Sequence, residues 1–369
     1  MKKTFKLMVL TVPPNTLGGV EFATNDIFHS LERVHRIKIN YLRSYGSKST
    51  SGSLATKAIK RMFTFREIIV ETKKFKPDIV HINSSLTARA LIRDWFVARF
   101  FKSRRIPIFL WFHGSNYNIL RNMFNRAIFN SIIDKVGYAV VLSNAELINI
   151  KKFAKQKNKI IKIDYFVDIK RMKKLARNTK FKEKLENPNI LFAGRFILKK
   201  GVLDTVEAFN LLKNKFPHLR LILAGDGPLR GDIDKLIKKF SLENKVLMTG
   251  HVSEDKMKKI YNSSTVFVLP TFHPEGMPGG IINALVFGLP IITTKTRGMA
   301  DFLKNNINCL FVPPKNPKTL SRRLEEMLNN AKLQNSMKKN NLLLADKFDI
   351  NSHRDYFFNI YQKILNEYK

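Results

Sequence analysis

The chain has a single cysteine, Cys309, so no internal disulfide can form. That suits a reducing, cytoplasmic setting, and the apolar stretch around Cys309 marks it as core. Acids are scarce: 29 Asp and Glu stand against 66 Lys and Arg, a formal net charge of +37. A surface of that sign favours anionic partners, whether nucleic acid, anionic lipid or phosphorylated substrates. No run of about 18 uncharged apolar residues occurs, so no transmembrane helix is expected. No carboxylates or histidines have metal-ligand spacing, so no metal and no cofactor are expected. Helix-turn-helix, RNP and zinc-finger signals are missing, so nucleic acid is not the expected partner. The first residues, Met1 to Val12, begin like a signal peptide. Their apolar stretch is short, however, and Pro13-Pro14 follow without a small-residue cleavage site. A first buried strand is the better reading.

What the chain does have is alternation. Strand patterns fall at Phe5–Val12, Ile37–Leu42, Asp78–Ile82, Pro107–Phe112, Tyr138–Leu142 and Ile160–Tyr165 in the first half. In the second half they fall at Asn189–Ala193, Arg220–Ala224, Lys245–Met248, Val266–Leu269, Pro290–Thr293 and Cys309–Val312. Helical patterns lie between them, for example Ala55–Lys73 and Ser85–Phe101. Such alternation predicts parallel sheets covered by helices on both faces. Twelve strands are too many for one comfortable open sheet, so two doubly wound domains in tandem are expected. The joint falls in a basic stretch: Lys151 to Lys182 holds thirteen Lys or Arg and only two acids, Asp164 and Asp168.

The most informative segment runs from Val266 to Thr294. A buried strand leads into a loop with one acid, Glu275. A helix begins near Pro278, a residue suited to a first helical position. Gly279 and Gly280 open that helix, so only backbone guards its N-terminus. Asn283 lies one turn on, and Gly279, Gly280 and Asn283 are read as sharing a face. A second buried strand follows Gly288-Leu-Pro290. This order makes a crevice suited to an anion and a polyol together. Read alone, Glu275 is also an acid favouring the helix dipole.

Other strand ends carry weaker signals. Gly18 and Gly19 link the first strand to the first helix and would let a phosphate approach the backbone; alone, a glycine pair is more often a turn. Gly194-Arg195 through Lys200-Gly201 follows the first strand of the second half. Two cations there can neutralise a diphosphate, although a basic protein has many basic loops. Gly225-Asp226-Gly227-Pro228 reads as a tight turn. His113 ends a strand before Gly114, where ligand contact and a purely structural role fit equally. Asp232 and Asp234 match a metal-binding D-x-D pattern, but helical residues two apart do not face each other.

Taken together, these motifs resemble the family 4 glycosyltransferases (glycosyl transferases group 1). The resemblance runs from the Gly18-Gly19 loop to Pro313-Pro314 and is most specific over Glu275-Gly-Met-Pro278 through Gly288-Leu-Pro-Ile-Ile292. It implies an α/β GT-B fold: two doubly wound Rossmann-like domains facing across a cleft. Residues 1–170 would bind the acceptor, 171–187 form a basic linker, and 188–345 bind a nucleotide sugar. Residues 346–369 would form a helix returning toward the N-terminal domain.

The implied activity is a retaining, metal-independent hexosyl transfer, with UDP the commoner nucleotide. The acceptor would be a lipid-linked or oligosaccharide chain in lipopolysaccharide, capsule or exopolysaccharide synthesis. By this resemblance Arg195 and Lys200 contact the donor diphosphate, Glu275 holds sugar hydroxyls, and His113 lines the donor-sugar site. Backbone N–H groups near Gly276, Met277, Gly279 and Gly280 take sugar and phosphate oxygens, beside Gly194 and Pro278, with Gly18 and Gly19 near the diphosphate. One departure stands out: the family places a second glutamate where this chain has Asn283, so a charge-assisted ribose bond becomes a neutral one. A catalytically impaired protein of the same fold is therefore one alternative, and a polycationic nucleic-acid binder another. Arginines interleaved with Trp95, Phe96, Phe100 and Phe101 also suggest a helix at an anionic membrane surface, the inner face of the cytoplasmic membrane.

Overall fold

The computed structural model describes residues 4–11, 19–35, 37–42, 54–178, 188–273 and 277–368. Gly18, Glu275 and Gly276 therefore lie outside the described residues. The chain divides into two compact units, Met1–Val167 with Ile350–Lys369, and Asp168–Asp349.

The first unit runs β1 (Lys6–Leu10), α1 (Gly19–His35), β2 (Lys38–Leu42), α2 (Leu54–Phe75), β3 (Ile79–Leu86), α3 (Ala88–Ser103) and β4 (Ile108–Ser115). It continues through α4 (Met123–Lys135), β5 (Tyr138–Val141), α5 (Asn144–Lys151) and β6 (Ile160–Lys162). The second unit runs α6 (Ile169–Asn178), β7 (Asn189–Ala193), α7 (Val202–Asn210), β8 (Arg220–Ala224), α8 (Arg230–Lys239), β9 (Val246–Gly250) and α9 (Glu254–Asn262). Then come β10 (Val266–Leu269), α10 (Gly279–Val286), β11 (Ile291–Thr294), α11 (Arg297–Phe302), β12 (Cys309–Val312), α12 (Pro317–Asn329) and α13 (Ala331–Ala345). The chain ends with α14 (Ile350–Glu367), which belongs to the first unit.

Among the described residues each unit holds one six-stranded sheet, ordered β2-β1-β3-β4-β5-β6 and β12-β11-β10-β7-β8-β9. All named strand pairs are parallel. Strands covered on both faces are apolar on both faces, which is why runs such as Val266-Phe-Val-Leu269 show no polar alternation. All twelve expected strands form. β6 stops at Lys162, short of the expected Tyr165, because its partner β5 ends opposite it at Val141. A strand needs a ladder partner to continue. β3 runs longer than expected, through Asn83 and Ser84 to Leu86, with an irregularity at its end against β4.

The stretch read as a basic linker begins with a helix. Helix α6 lies against α9 and α10 of its own unit. Its cations find acids there, Arg171 on Glu254 and Lys173 on Asp346.

α14 lies along α1 and over the first sheet. Phe357 packs on Phe109 and Trp111, Phe358 stacks on His35, and His35 bonds Asp355 at 2.9 Å. Helix α3 divides its aromatic residues between core and surface. Phe100 and Phe101 are buried in the core, and the half-buried Trp95 donates its indole N–H to Ser131 Oγ at 3.1 Å. Only Ile92 and Phe96 of its large apolar side chains face solvent. Among the described residues no helix is long and apolar enough to cross a membrane.

Candidate active site

In the second unit the strands progress from β7 through β8 to β9 in one direction, and from β10 through β11 to β12 in the other. The reversal falls between β7 and β10. Segments leaving the C-terminal ends of these strands part there, and open parallel sheets bind ligands in that crevice. The two segments are the ones the sequence singled out: Gly194–Gly201 after β7, and Pro270 onward after β10.

They are stitched together at one atom. The Lys199 carbonyl accepts from Phe272 N (2.9 Å), His273 N (3.1 Å) and Thr271 Oγ1 (3.0 Å). Gly201 permits this closeness, since its φ is +73° and a Cβ there would lie 2.5 Å from the Pro270 carbonyl oxygen. Thr294 Oγ1 donates to the Thr271 carbonyl, and Thr293 Oγ1 to the Leu269 carbonyl at 2.7 Å, so β11 braces the second segment. Lys200 is only 7% exposed, whereas Arg195 faces solvent. A buried cation acts on an anion through a poorer dielectric than a surface one, so Lys200 is the stronger electrostatic element of the pair.

Gly225-Asp226-Gly227-Pro228 proves to be scaffolding. Phe196 N donates to the Asp226 carbonyl (2.9 Å) and Leu229 N to the Phe196 carbonyl (3.1 Å), folding this turn onto the Arg195 segment. Asp226 orders the turn through Gly227 N (2.7 Å). Asp232 and Asp234 sit on α8, where Asp232 pairs with Lys235 at 4.0 Å. Among the described residues no group of three His, Cys, Asp or Glu could hold a metal ion.

At α10 the expectation needs one correction. Pro278 is the N-cap, extended at φ −65° and ψ 131°, and Gly279 is the first helical residue. Pro278 makes no side-chain capping bond at this end. The two glycines also differ. A Cβ on Gly279 would meet nothing within 4 Å, while one on Gly280 would lie 3.0 Å from the Ala193 carbonyl and 3.1 Å from Phe267. Gly280 is thus packed on the sheet, and Gly279 alone leaves backbone open. Met277 and Pro278 are buried. Asn283 is half-buried and hydrogen-bonds the Tyr261 hydroxyl. That hydroxyl also donates to the Gly280 carbonyl at 3.3 Å, and burial pushes its pKa well up, so it stays neutral. Tyr261 carried no sequence signal, because a tyrosine on an amphipathic helix reads as core.

In the first unit the strand order reverses between β1 and β3. Gly19 opens α1 after β1, its partner Gly18 lying outside the described residues. His113 lies within β4 and is half-buried. Its Nε2 meets Asn83 Oδ1 at 2.7 Å. Burial holds its pKa down at about 3, so the ring is neutral. The single cysteine is core as expected, and burial pushes its thiol up to about 12.

Residues 173–342 match the family model for glycosyl transferases group 1. An uncharacterized glycosyltransferase of Methanocaldococcus jannaschii is 29% identical over 141 residues, 38% of this chain and 35% of that protein. The 2-deoxystreptamine N-acetyl-D-glucosaminyltransferase of Niallia circulans is 24% identical over 289 residues, 73% of this chain and 72% of that one. The capsular polysaccharide biosynthesis glycosyltransferase CapM of Staphylococcus aureus is 28% identical over 169 residues, 44% of each chain. The chain thus aligns with as little as a third of the length of such relatives. Anabaena HepE, solved in complex with UDP, superposes with a TM-score of 0.74 at 16% identity, over 97% of this chain and all of that one. The likeness shows the fold, two parallel α/β units of GT-B type. The matched segment contains every second-unit motif described above: over it the chain is similar to the glycosyl transferases group 1, and as a whole it has the GT-B fold.

Proposed function

We propose that this glycosyltransferase moves a hexose from a UDP-sugar to a lipid-linked or oligosaccharide acceptor in surface-polysaccharide synthesis, with retention of configuration and without a metal. One observation carries the reading: a buried lysine, Lys200, and the N-terminus of α10, opened by Gly279, follow the two strands that flank one topological switch point. A nucleoside diphosphate has the charge and length that such a crevice fits. HepE's UDP complex and CapM's role in capsule biosynthesis support the choice of nucleotide and pathway class.

In the proposed reaction the bond from the anomeric carbon to the diphosphate oxygen breaks, and one to the acceptor oxygen forms on the same face. The acceptor proton passes to the departing phosphate. Lys200, Arg195 and the N–H groups at Gly279 and Gly280 stabilise the growing phosphate charge. Glu275 holds sugar hydroxyls, and Asn283 meets the ribose as a neutral amide. Thermal melts with a panel of nucleotide sugars test this. One donor is expected to raise the midpoint of the parent protein, with a much smaller rise in Lys200→Ala. If no nucleotide sugar moves the midpoint, or all move it equally in both proteins, the reading fails.

A lipid-linked acceptor would bring the protein to an anionic membrane surface, and the net charge of +37 supports that partner. The exposed apolar side chains Ile92, Phe96, Met123 and Phe124, with Arg99 and Arg121 also exposed, offer an insertion face in the first unit. Sedimentation with vesicles is expected to show salt-sensitive binding to anionic lipid. Equal partitioning onto neutral vesicles would count against it.

A further inference from the structure

Helix α14 completes the core of the first unit. Phe357, Phe358, Tyr361 and Ile364 are buried, and a Cβ on Gly137 would lie 2.8 Å from Ile364. A polar ladder runs inward from this helix. Tyr361 OH meets His81 Nδ1 on β3 at 2.6 Å. His81 Nε2 meets Asn83 Oδ1 at 3.1 Å, and His113 Nε2 on β4 meets that same oxygen at 2.7 Å. Asn83 Nδ2 donates to Thr11 Oγ1, beyond β1, at 3.2 Å. Phe28, Phe109 and Trp111 surround the His81 ring. A buried polar ladder in such a core holds only while every member is satisfied.

The ladder has one direction. Asn83 Oδ1 only accepts, so His81 carries its proton on Nε2, and its Nδ1 is a lone pair that accepts from Tyr361. A second proton can enter only at Nδ1, the atom on which α14 docks. It would set two hydrogens against each other there and place a cation in an aromatic core. Among the described residues no carboxylate hydrogen-bonds either ring. Burial, helped by His113, holds the His81 pKa down at about 3, and burial holds His113 down at about 3 as well. His81 is 0% exposed and His113 half-buried, so His81 has the larger share of the effect. The other titratable groups on this side are Tyr361 itself, Tyr41 acting on it, and His353 across Phe166. On the far flank of α14, Arg354 and then His35 hold the Asp355 carboxyl below its usual range, so that pair yields only at lower pH.

We propose that α14 is an acid-released clasp: a proton taken up at His81 Nδ1 displaces the Tyr361 hydroxyl and opens the first unit, while the second unit stays folded. An unfolded histidine takes its proton near pH 6.5, and these two resist it down to about pH 3. The stability they confer is therefore complete above about pH 6.5 and is lost as the pH falls toward 3. Within that window each ring that stays neutral costs about tenfold in the ratio of folded to open molecules per pH unit. The second unit has no such brake. His218 and His251 are exposed and His273 is half-buried, so none of them is shut in an apolar core.

Amide hydrogen exchange of the full chain, corrected for the pH dependence of intrinsic exchange, tests this helix by helix. Opening of α14 is expected to rise about 10- to 100-fold per pH unit between about pH 6 and pH 4.5, and opening of α13 is expected not to follow. His81→Gln keeps an acceptor for Tyr361 and a donor for Asn83 but takes no proton. Its α14 should lose about tenfold of that rise per pH unit. An α14 whose opening is flat with pH, or rises in step with α13, overturns the proposal, as does an unchanged rise in His81→Gln. Nitrogen-15 NMR of the parent protein decides the matter even if that variant does not fold. His81 should show a pyridine-type Nδ1 for as long as α14 is docked, and a doubly protonated His81 under a docked α14 above about pH 5 overturns the clasp.

Discussion

Lys200→Ala is expected to lower turnover of the nucleotide sugar by ~10²-fold or more, the size of losing one preorganised donor to a developing oxyanion. The reason lies in burial. Lys200 is 7% exposed, at the end of the segment that follows β7. Its ammonium group acts through protein rather than water, and charge that grows on a leaving phosphate feels it strongly. Arg195, which is exposed, should matter less, and Arg195→Ala is expected to raise the donor KM more than it lowers kcat. Lys200→Arg should not rescue, because a planar fork cannot replace a compact point charge in a packed site. Steady-state kinetics on protein whose melt is cooperative checks this. Turnover of Lys200→Ala within an order of magnitude of the parent would remove Lys200 from the chemistry.

The second large effect concerns stability rather than turnover. Gly225→Ala is expected to destabilise the second unit by ~3 kcal/mol or more, since strain at a positive φ and overpacking act together. Gly225 has φ +144°, and a Cβ there would lie 2.0 Å from the Gly194 carbonyl oxygen, where neither backbone can yield. For a unit of this size the melting midpoint should fall by roughly 6–12 °C. Gly279→Ala is the contrast. Its Cβ enters open space, and alanine is the better helix former by up to about 1 kcal/mol, so the midpoint should hold or rise. Donor affinity should nevertheless drop, because the methyl group occupies the approach to the first N–H groups of α10. Equal melts for Gly225→Ala and the parent would show that the turn can relax away from β7. Unimpaired donor binding by Gly279→Ala would place the diphosphate elsewhere.

These two glycines illustrate what a sequence can and cannot express. Both follow parallel strands at the entry to a helix, and the sequence reads Gly225 as part of a tight turn and Gly279 as backbone open to a ligand. The fold separates them. At Gly225 the neighbour is another stretch of chain, and at Gly279 it is open space. Gly280 divides from Gly279 in the same way, by facing the Ala193 carbonyl.

The polar ladder of the first unit was equally illegible. His81 and Asn83 interrupt an apolar strand on one face, which is a signal that something polar must answer them. Their partners, however, come from positions 11, 113 and 361. Chain separation on that scale leaves no local pattern. The same holds for α3. Its mix of arginine and aromatic residues suited a membrane surface, and the sheet beneath took Phe100 and Phe101.

Local chemistry alone settled a good deal. Alternating apolar runs and helical patterns dictate two parallel α/β sheets, because a strand buried on both faces must be apolar throughout and must be followed by a crossover. Strand ends followed by glycine, proline and isolated charges mark where ligands meet such a sheet. Tertiary structure decided which of those charges is buried, which glycine is open, and which distant side chains answer the buried histidines. Those properties depend on distances between segments far apart along the chain, and only packing sets them.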